Sequence, residues 1–146
     1  MAHLAHWLPP KSNLRFGYTP MAGKGRKHIL ILDPEKDTAA LFSRALENYR
    51  GGFRCHWAND CPQARSLLCE IVFTFVLADV SILQRDRFFL LDSIKGLPSP
   101  AIVFATAYIN ENKAIRTAMA KGAAGYLIKP VMVCTLRKLI DDFSGR

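Results

Sequence analysis

The sequence predicts a single α/β domain built on a five-stranded parallel sheet. Five short apolar runs alternate with segments of helical periodicity, an order written (βα)5. Most of the runs are continuously apolar, which is typical of parallel strands buried on both faces. At 146 residues, the chain is long enough for one domain with its own hydrophobic core. Polar side chains follow four of the runs directly: Asp33, Asp79, Thr106 and Lys129.

The first strand and the first helix fall within residues 28–49. Residues 28–32 are apolar after the initial histidine and predict a buried strand, which Pro34 interrupts. A helix is expected to follow as far as about Tyr49, and either Asp37 or Thr38 can cap its amino end.

The middle of the chain predicts a second strand, a second helix and a third strand. Residues 53–57 alternate apolar and polar side chains, which indicates a strand with one more exposed face. Asp60 before Pro62 is favourable chemistry for the start of a helix. The run 71–79 then predicts a buried strand that ends on Asp79.

The last part of the chain continues the alternation. Apolar spacing predicts a third helix around residues 88–94 and a fourth at residues 111–121. Residues 101–105 and 125–128 predict the fourth and fifth strands, and residues 134–143 predict a last helix.

Positive charge is concentrated at the amino end of the chain. The net charge is +8, and residues 1–27 contain no acidic residue but hold Lys11, Arg15, Lys24, Arg26 and Lys27. We therefore predict a basic, disordered leader at residues 1–26 and a domain at residues 27–146 that is not itself a nucleic-acid binder. Binding of a nucleic acid or a membrane surface through the leader stays an alternative, which steep salt dependence would support.

The remaining composition indicates an ordinary cytoplasmic protein. The apolar runs are far shorter than the roughly 18 residues of a membrane helix, and no signal peptide is recognisable. The four cysteines lack metal-binding spacing, so reduced thiols are expected. The four histidines show no spacing that suggests a shared site, and His56 is expected to point out of the second strand.

The polar residues that follow the strands predict a site for phosphoryl chemistry. The carboxyl ends of parallel strands lie at the same edge of a sheet, so these side chains are expected to converge there. A carboxylate can attack phosphorus, a second acid can hold a divalent cation, and a hydroxyl and an ammonium can bind phosphoryl oxygens. Solvent exposure of strand ends explains any one of these residues, but it does not readily explain all four in this order.

Two stretches carry a resemblance to a known family. Pro100–Ala107 and Gly122–Pro130, which ends on Lys129-Pro130, resemble the receiver domain of two-component response regulators, the family of the bacterial chemotaxis response regulator. The resemblance covers residues 27–145 and implies a flavodoxin-like (βα)5 doubly wound sandwich with the strand order 2-1-3-4-5. It also implies a signalling domain that is not an enzyme.

The resemblance implies roles for the predicted site residues. Asp79 would be the phosphoacceptor, and Thr106 and Lys129 would contact the phosphoryl group. Mg²⁺ would be held by Asp33, Asp79 and the backbone carbonyl of Ser81. The phosphoryl donor would be a sensor histidine kinase or a phosphotransfer protein.

The resemblance further implies a switch that a partner can detect. Thr106 would move toward the phosphoryl group, and Tyr126 would rotate with it. The face formed by the fourth helix, the fifth strand and the last helix would then bind a downstream effector protein or form a homodimer. No output domain is expected in this chain.

The sequence also departs from the family pattern. Receivers normally have two adjacent acids after the first strand, and here the second position is Pro34. Glu35 is a further candidate metal ligand because it lies one residue on and its side chain is longer. The loop after Asp79 has Leu83 and Arg87 where the family has Pro and Gly.

Two other functions are compatible with the same pattern. A pseudo-receiver would keep the fold as a phosphorylation-independent protein-interaction module, which Pro34 favours and the retained Asp79, Thr106 and Lys129 oppose. The flavodoxin-like architecture also serves flavin binding and small hydrolases. The segment 33–37, however, is acidic and lacks the Ser, Thr and Gly residues that a flavin phosphate requires.

Overall fold

Five strands and six helices make up residues 25–144, the part of the chain that the computed structural model describes. The strands are β1 (Lys27–Leu32), β2 (Phe53–Ala58), β3 (Phe75–Asp79), β4 (Ile102–Ala107) and β5 (Gly125–Ile128). The helices are α1 (Lys36–Glu47), α2 (Cys61–Glu70), α3 (Val80–Arg85), α4 (Phe89–Lys95), α5 (Asn112–Ala120) and α6 (Val133–Ser144).

The strands form one parallel sheet in the order β2-β1-β3-β4-β5, as the sequence analysis predicted. Most of the predicted leader, residues 1–26, lies outside the described residues, so its disorder stays a prediction. No helix within residues 25–144 has the length and hydrophobicity needed to cross a membrane. The four cysteines, all in the described part of the chain, form no disulfide.

Helices cover both faces of the sheet because successive strand residues point to opposite sides. Ile29, Ile31 and Phe75 pack on one face with the buried residues of α1 and α6. Leu30 and Val76 pack on the other face with residues of α2, α3, α4 and α5. Burial on both faces explains why most of the strands are continuously apolar.

Two predicted boundaries are wrong. The third strand begins at Phe75 rather than at residue 71, because Ile71 caps the end of α2 by donating its backbone N–H to the Leu67 carbonyl (2.9 Å). The first helix begins at Lys36 with Glu35 as its N-cap, and no side chain caps it. Apolar composition does not separate an apolar loop from a strand, which accounts for the first error. The predicted Asp60 cap is confirmed, since its Oδ1 accepts from the Gln63 backbone N–H (2.9 Å).

The third helix predicted around residues 88–94 corresponds to α4, and the short helix α3 before it was not predicted. The turn between them places Arg87 and Phe88 in the left-handed region, at φ of 54° and 60°. Asp86 stabilises the turn because its Oδ2 accepts from the Leu90 backbone N–H (2.7 Å) and forms an ion pair with Arg65 (2.9 Å). Residues other than glycine are rarely found in this conformation because the Cβ atom is crowded there.

We expect Arg87→Gly to raise the free energy of unfolding by about 0.5–1 kcal/mol. Arg87 is exposed, so the substitution removes left-handed strain with little loss of packing, and the greater freedom of glycine in the unfolded chain offsets part of the gain. Urea unfolding measures the difference. Arg85→Gly is the matched control, because Arg85 is exposed but helical and the change should cost about 1 kcal/mol. If both variants lose the same free energy of unfolding, the left-handed conformation of Arg87 is not a source of strain.

The histidines also differ from the prediction. His28 on β1 and His56 on the neighbouring β2 lie on the same face of the sheet, and Nδ1 of His28 is 2.9 Å from Nε2 of His56. Both side chains are half-buried, so His56 does not point freely into solvent. Sequence spacing could not reveal this pair because the register of two separate strands creates it.

Candidate functional site

Asp33, Asp79 and Lys129 form a buried ion-pair triad at the carboxyl edge of the sheet. The Lys129 Nζ lies 2.7 Å from Asp33 Oδ2 and 2.6 Å from Asp79 Oδ2. The three residues are only 1%, 3% and 7% exposed in the order Asp33, Asp79, Lys129. Asp33 follows β1, Asp79 ends β3 and Lys129 follows β5, so the three side chains converge at one edge of the sheet as predicted.

The triad determines the ionisation of Lys129. Burial alone would lower the pKa of Lys129, but hydrogen bonds and charge interactions with Asp33 and Asp79 raise its pKa above the ordinary lysine value of 10.5. The ammonium therefore stays charged at neutral pH. Because the folded-state pKa is the higher one, this contribution to stability is complete below about pH 10.5 and is lost as the pH rises above it.

Both carboxylate oxygens of Asp33 accept hydrogen bonds. Its Oδ1 accepts from the Glu35 backbone N–H (2.8 Å), while its Oδ2 accepts from Lys129. Glu35 itself is an exposed residue at the amino end of α1, so the structure brings its backbone rather than its carboxylate to Asp33. The indole Nε1 of Trp57 donates to the Asp33 carbonyl (2.8 Å), which places this fluorophore beside the site.

Asp79 likewise has partners on both oxygens. Its Oδ1 accepts from the Ser81 backbone N–H (2.8 Å) and from the Ser81 hydroxyl, and Asp79 is the N-cap of α3. Ser81 lies in the first turn of that helix, where backbone carbonyls accept from N–H groups further along the helix. The contact of the Ser81 hydroxyl was not predicted, since the resemblance implies a role only for the Ser81 backbone carbonyl.

Thr106 lies beside Asp79 and has a hydroxyl without a partner. The two residues are directly paired in the parallel register of β3 and β4. Thr106 is 1% exposed, and its Oγ1 finds no hydrogen-bond partner among the described residues. A buried hydroxyl without a partner is energetically costly, so this one is a ready donor for an incoming oxygen.

Two tyrosines, one on β5 and one directly after β4, have different surroundings. Tyr126 on β5 is 51% exposed, so it is not a core residue in this structure. The Tyr108 ring lies 5.4 Å from Lys129 Nζ, within the range of a cation–π contact. This contact of Tyr108 was not predicted, although the position of Tyr108 two residues after Thr106 was a signal for it.

The donor set is compatible with a small divalent cation. Asp33 and Asp79 already share one cation, the Lys129 ammonium, through one oxygen each. Mg²⁺ keeps several waters and is commonly bound by one or two carboxylates, so these two side chains fit it. Within residues 25–144, no group of three or more His, Cys, Asp and Glu side chains is arranged to hold a metal ion.

The fold and the site together define a class of protein: a doubly wound α/β domain with a lysine-neutralised carboxylate pair and a buried hydroxyl at one sheet edge. The family model for the response regulator receiver domain matches residues 29–141. The chain therefore belongs to the response regulator receiver domain family, and its function is that of a receiver in two-component signal transduction.

Curated relatives agree with the family. The transcriptional regulatory protein ZraR of Escherichia coli (strain K12) is 33% identical over 114 residues, which are 77% of this chain and 25% of that relative. The two-component response regulator ORR2 of Oryza sativa subsp. japonica is 26% identical over 114 residues, 77% of this chain and 43% of the relative. The chain thus spans about a quarter of the ZraR length.

Solved structures agree with the fold. The signal receiver domain of a DNA-binding response regulator from Colwellia psychrerythraea 34H matches with a TM-score of 0.72 and 24% identity, over 82% of this chain and 99% of that one. The chemotaxis response regulator CheY4 of Vibrio cholerae matches with a TM-score of 0.70 and 18% identity, over 81% and 98%. These similarities concern the architecture alone.

Proposed function

We propose that Asp79 accepts a phosphoryl group from a sensor histidine kinase or a phosphotransfer protein. The observation that carries the proposal is the buried, partnerless hydroxyl of Thr106 directly beside Asp79. A buried hydroxyl without a hydrogen bond lowers the stability of the unphosphorylated protein. A phosphoryl oxygen on Asp79 would accept a hydrogen bond from this hydroxyl.

The proposed reaction transfers the phosphoryl group from a histidine nitrogen to a carboxylate oxygen of Asp79. A carboxylate oxygen of Asp79 attacks the phosphorus of a phosphohistidine, the new P–O bond forms, and the P–N bond breaks with its electron pair leaving on the imidazole. Lys129 holds Asp79 Oδ2 at rest (2.6 Å) and is long enough to transfer its hydrogen bond to a phosphoryl oxygen. Thr106 donates its hydroxyl to another phosphoryl oxygen.

Mg²⁺ is the proposed cofactor. When bound, the ion neutralises charge on the phosphoryl oxygens during transfer. Asp33 and Asp79 would hold it, with the Ser81 carbonyl and the Glu35 carboxylate as the further predicted ligands. Pro34 offers no side-chain oxygen, so water would fill the position of the family's second acid.

We further propose that phosphorylation is detected at the face formed by α5, β5 and α6. Phosphorylation adds nearly two negative charges at the sheet edge and draws the Thr106 hydroxyl toward it. The exposed ring of Tyr126 can then turn inward toward the space that Thr106 leaves. A downstream effector or a second copy of the chain would bind the altered face, and the domain would act as a signalling switch rather than as an enzyme.

The remaining proposals concern the organisation of the chain. Residues 27–146 would form the receiver and residues 1–26 a basic leader. Cytoplasmic location, where histidine kinases would supply the phosphoryl group, stays a prediction.

A titration of Mg²⁺ followed by beryllofluoride tests the phosphoacceptor. In a Trp7→Phe background, Trp57 is the sole tryptophan, and its indole hydrogen bond to Asp33 makes its fluorescence a reporter of the site. We expect a saturable, Mg²⁺-dependent change that Asp79→Asn abolishes. Asp37→Asn is the matched control, because Asp37 is an exposed carboxylate outside the triad and should leave the response intact.

The same titration separates the receiver from the pseudo-receiver. A flat response to millimolar Mg²⁺ and beryllofluoride would contradict phosphorylation at Asp79. A normal response in Asp79→Asn would place the acceptor at another residue.

A further inference from the structure

A pair of facing imidazoles lies away from the Asp79 site. His28 is the second residue of β1, near its amino end, whereas Asp33 follows the carboxyl end of the same strand. The Nδ1 of His28 and the Nε2 of His56 approach to 2.9 Å, and the two rings are tilted by 32° with centroids 5.1 Å apart. The two nitrogens are therefore presented to each other from neighbouring strands of fixed register.

The surroundings hold the two rings in place. Phe73 contacts both rings edge-on, with centroid distances of 6.3 Å to His28 and 5.3 Å to His56. Both histidines are half-buried, so the rings are constrained but still reachable from solvent. Burial and the neighbouring charge of Arg54 lower the pKa of each histidine, and the pKa of His56 is lowered by His28 as well. A histidine binds a metal through an unprotonated ring nitrogen.

The separation of the nitrogens is small enough for one ion to contact both. Two metal–nitrogen bonds of about 2.0–2.1 Å at a right angle place the nitrogens about 2.9 Å apart, whereas a tetrahedral angle places them about 3.3 Å apart. The hydrogen bond between the rings sets the separation at 2.9 Å in the metal-free protein, and this value is close to the right-angled one. Right-angled nitrogen ligands are typical of the tetragonal sites of Ni²⁺ and Cu²⁺.

We propose that His28 and His56 form a two-ligand site for a divalent transition-metal ion of the nickel or copper type, with water in the other positions. The ion would replace the proton shared between the rings. Whichever ring donates in the metal-free protein moves its proton from the facing nitrogen to its other ring nitrogen, so both rings stay neutral and no net proton is released. The site does not depend on phosphorylation of Asp79.

Titration of the full chain with NiCl₂, followed by NMR and calorimetry, tests the site. Ni²⁺ is paramagnetic, so we expect saturable broadening centred on the ring signals of His28, His56 and Phe73. His28→Gln and His56→Gln should each weaken binding about tenfold or more. The matched control is the double variant His3→Gln, His6→Gln, which removes the other two histidines and should leave this binding unchanged.

Two results would overturn the proposal. Broadening that is absent from His28 and His56 in the wild-type protein would exclude the site, and this observation needs no variant to fold. Nickel binding that survives His28→Gln and His56→Gln but is lost in the His3→Gln, His6→Gln variant would assign the ion to the amino-terminal histidines instead.

Discussion

Lys129→Met is expected to lower the free energy of unfolding by about 3 kcal/mol at pH 7. The substitution keeps an unbranched side chain but removes the cation that lies 2.6 Å and 2.7 Å from two carboxylates. Asp79 and Asp33 would then remain as adjacent, buried like charges, and breaking a buried ion pair on one side typically costs 3–5 kcal/mol. Urea unfolding followed by circular dichroism measures the loss.

Mg²⁺ should restore much of the stability lost in Lys129→Met. A divalent cation between Asp33 and Asp79 would replace the missing ammonium, so added Mg²⁺ should stabilise this variant more than the wild type. Lys138→Met is the matched control, because Lys138 is exposed and its ion pair with Asp142 spans 3.7 Å, so the change should stay within about 0.5 kcal/mol. A Lys129→Met protein as stable as this control would contradict the buried triad.

Thr106→Val is expected to increase the stability of the protein and to weaken its response to a phosphoryl analogue. Valine has nearly the shape of threonine, so the change removes the partnerless hydroxyl without opening a cavity. The free energy of unfolding without phosphoryl analogue should rise by about 1 kcal/mol, because the cost of burying an unsatisfied donor is relieved. The response of Trp57 to Mg²⁺ and beryllofluoride should at the same time weaken severely, since the donor to the phosphoryl group is gone.

Thr117→Val is the control for this pair of effects. The Thr117 hydroxyl already donates to the Lys113 carbonyl (3.1 Å) on α5, so its removal should bring no gain in stability and no change in the beryllofluoride response. Destabilisation of Thr106→Val would mean that its hydroxyl has a partner in solution. An unchanged response would remove Thr106 from the proposed phosphoryl site.

The pattern of apolar and polar residues predicted strands and helices well where adjoining segments of the chain differ in composition. The strand that ends on Leu32 and the cap at Asp60 are examples, since buried parallel strands must be apolar and a helix start needs an acceptor for its first N–H groups. Pattern failed between Asp79 and Phe89, where the short helix α3 and a left-handed turn were not predicted. Six residues are too few to show a helical period clearly, and the Arg65–Asp86 pair that holds the turn joins residues far apart in the chain.

The sequence alone determined the alternation of strands and helices and the placement of Asp33, Asp79 and Lys129 at strand ends. These properties depend on residues close together in the chain, and parallel strands then bring their ends to one edge. The tertiary structure decided the partners: which oxygen each donor meets, the isolation of the Thr106 hydroxyl, and the contact of His28 with His56. The physical reason is that partners distant in sequence meet through sheet register and packing, which no local spacing records.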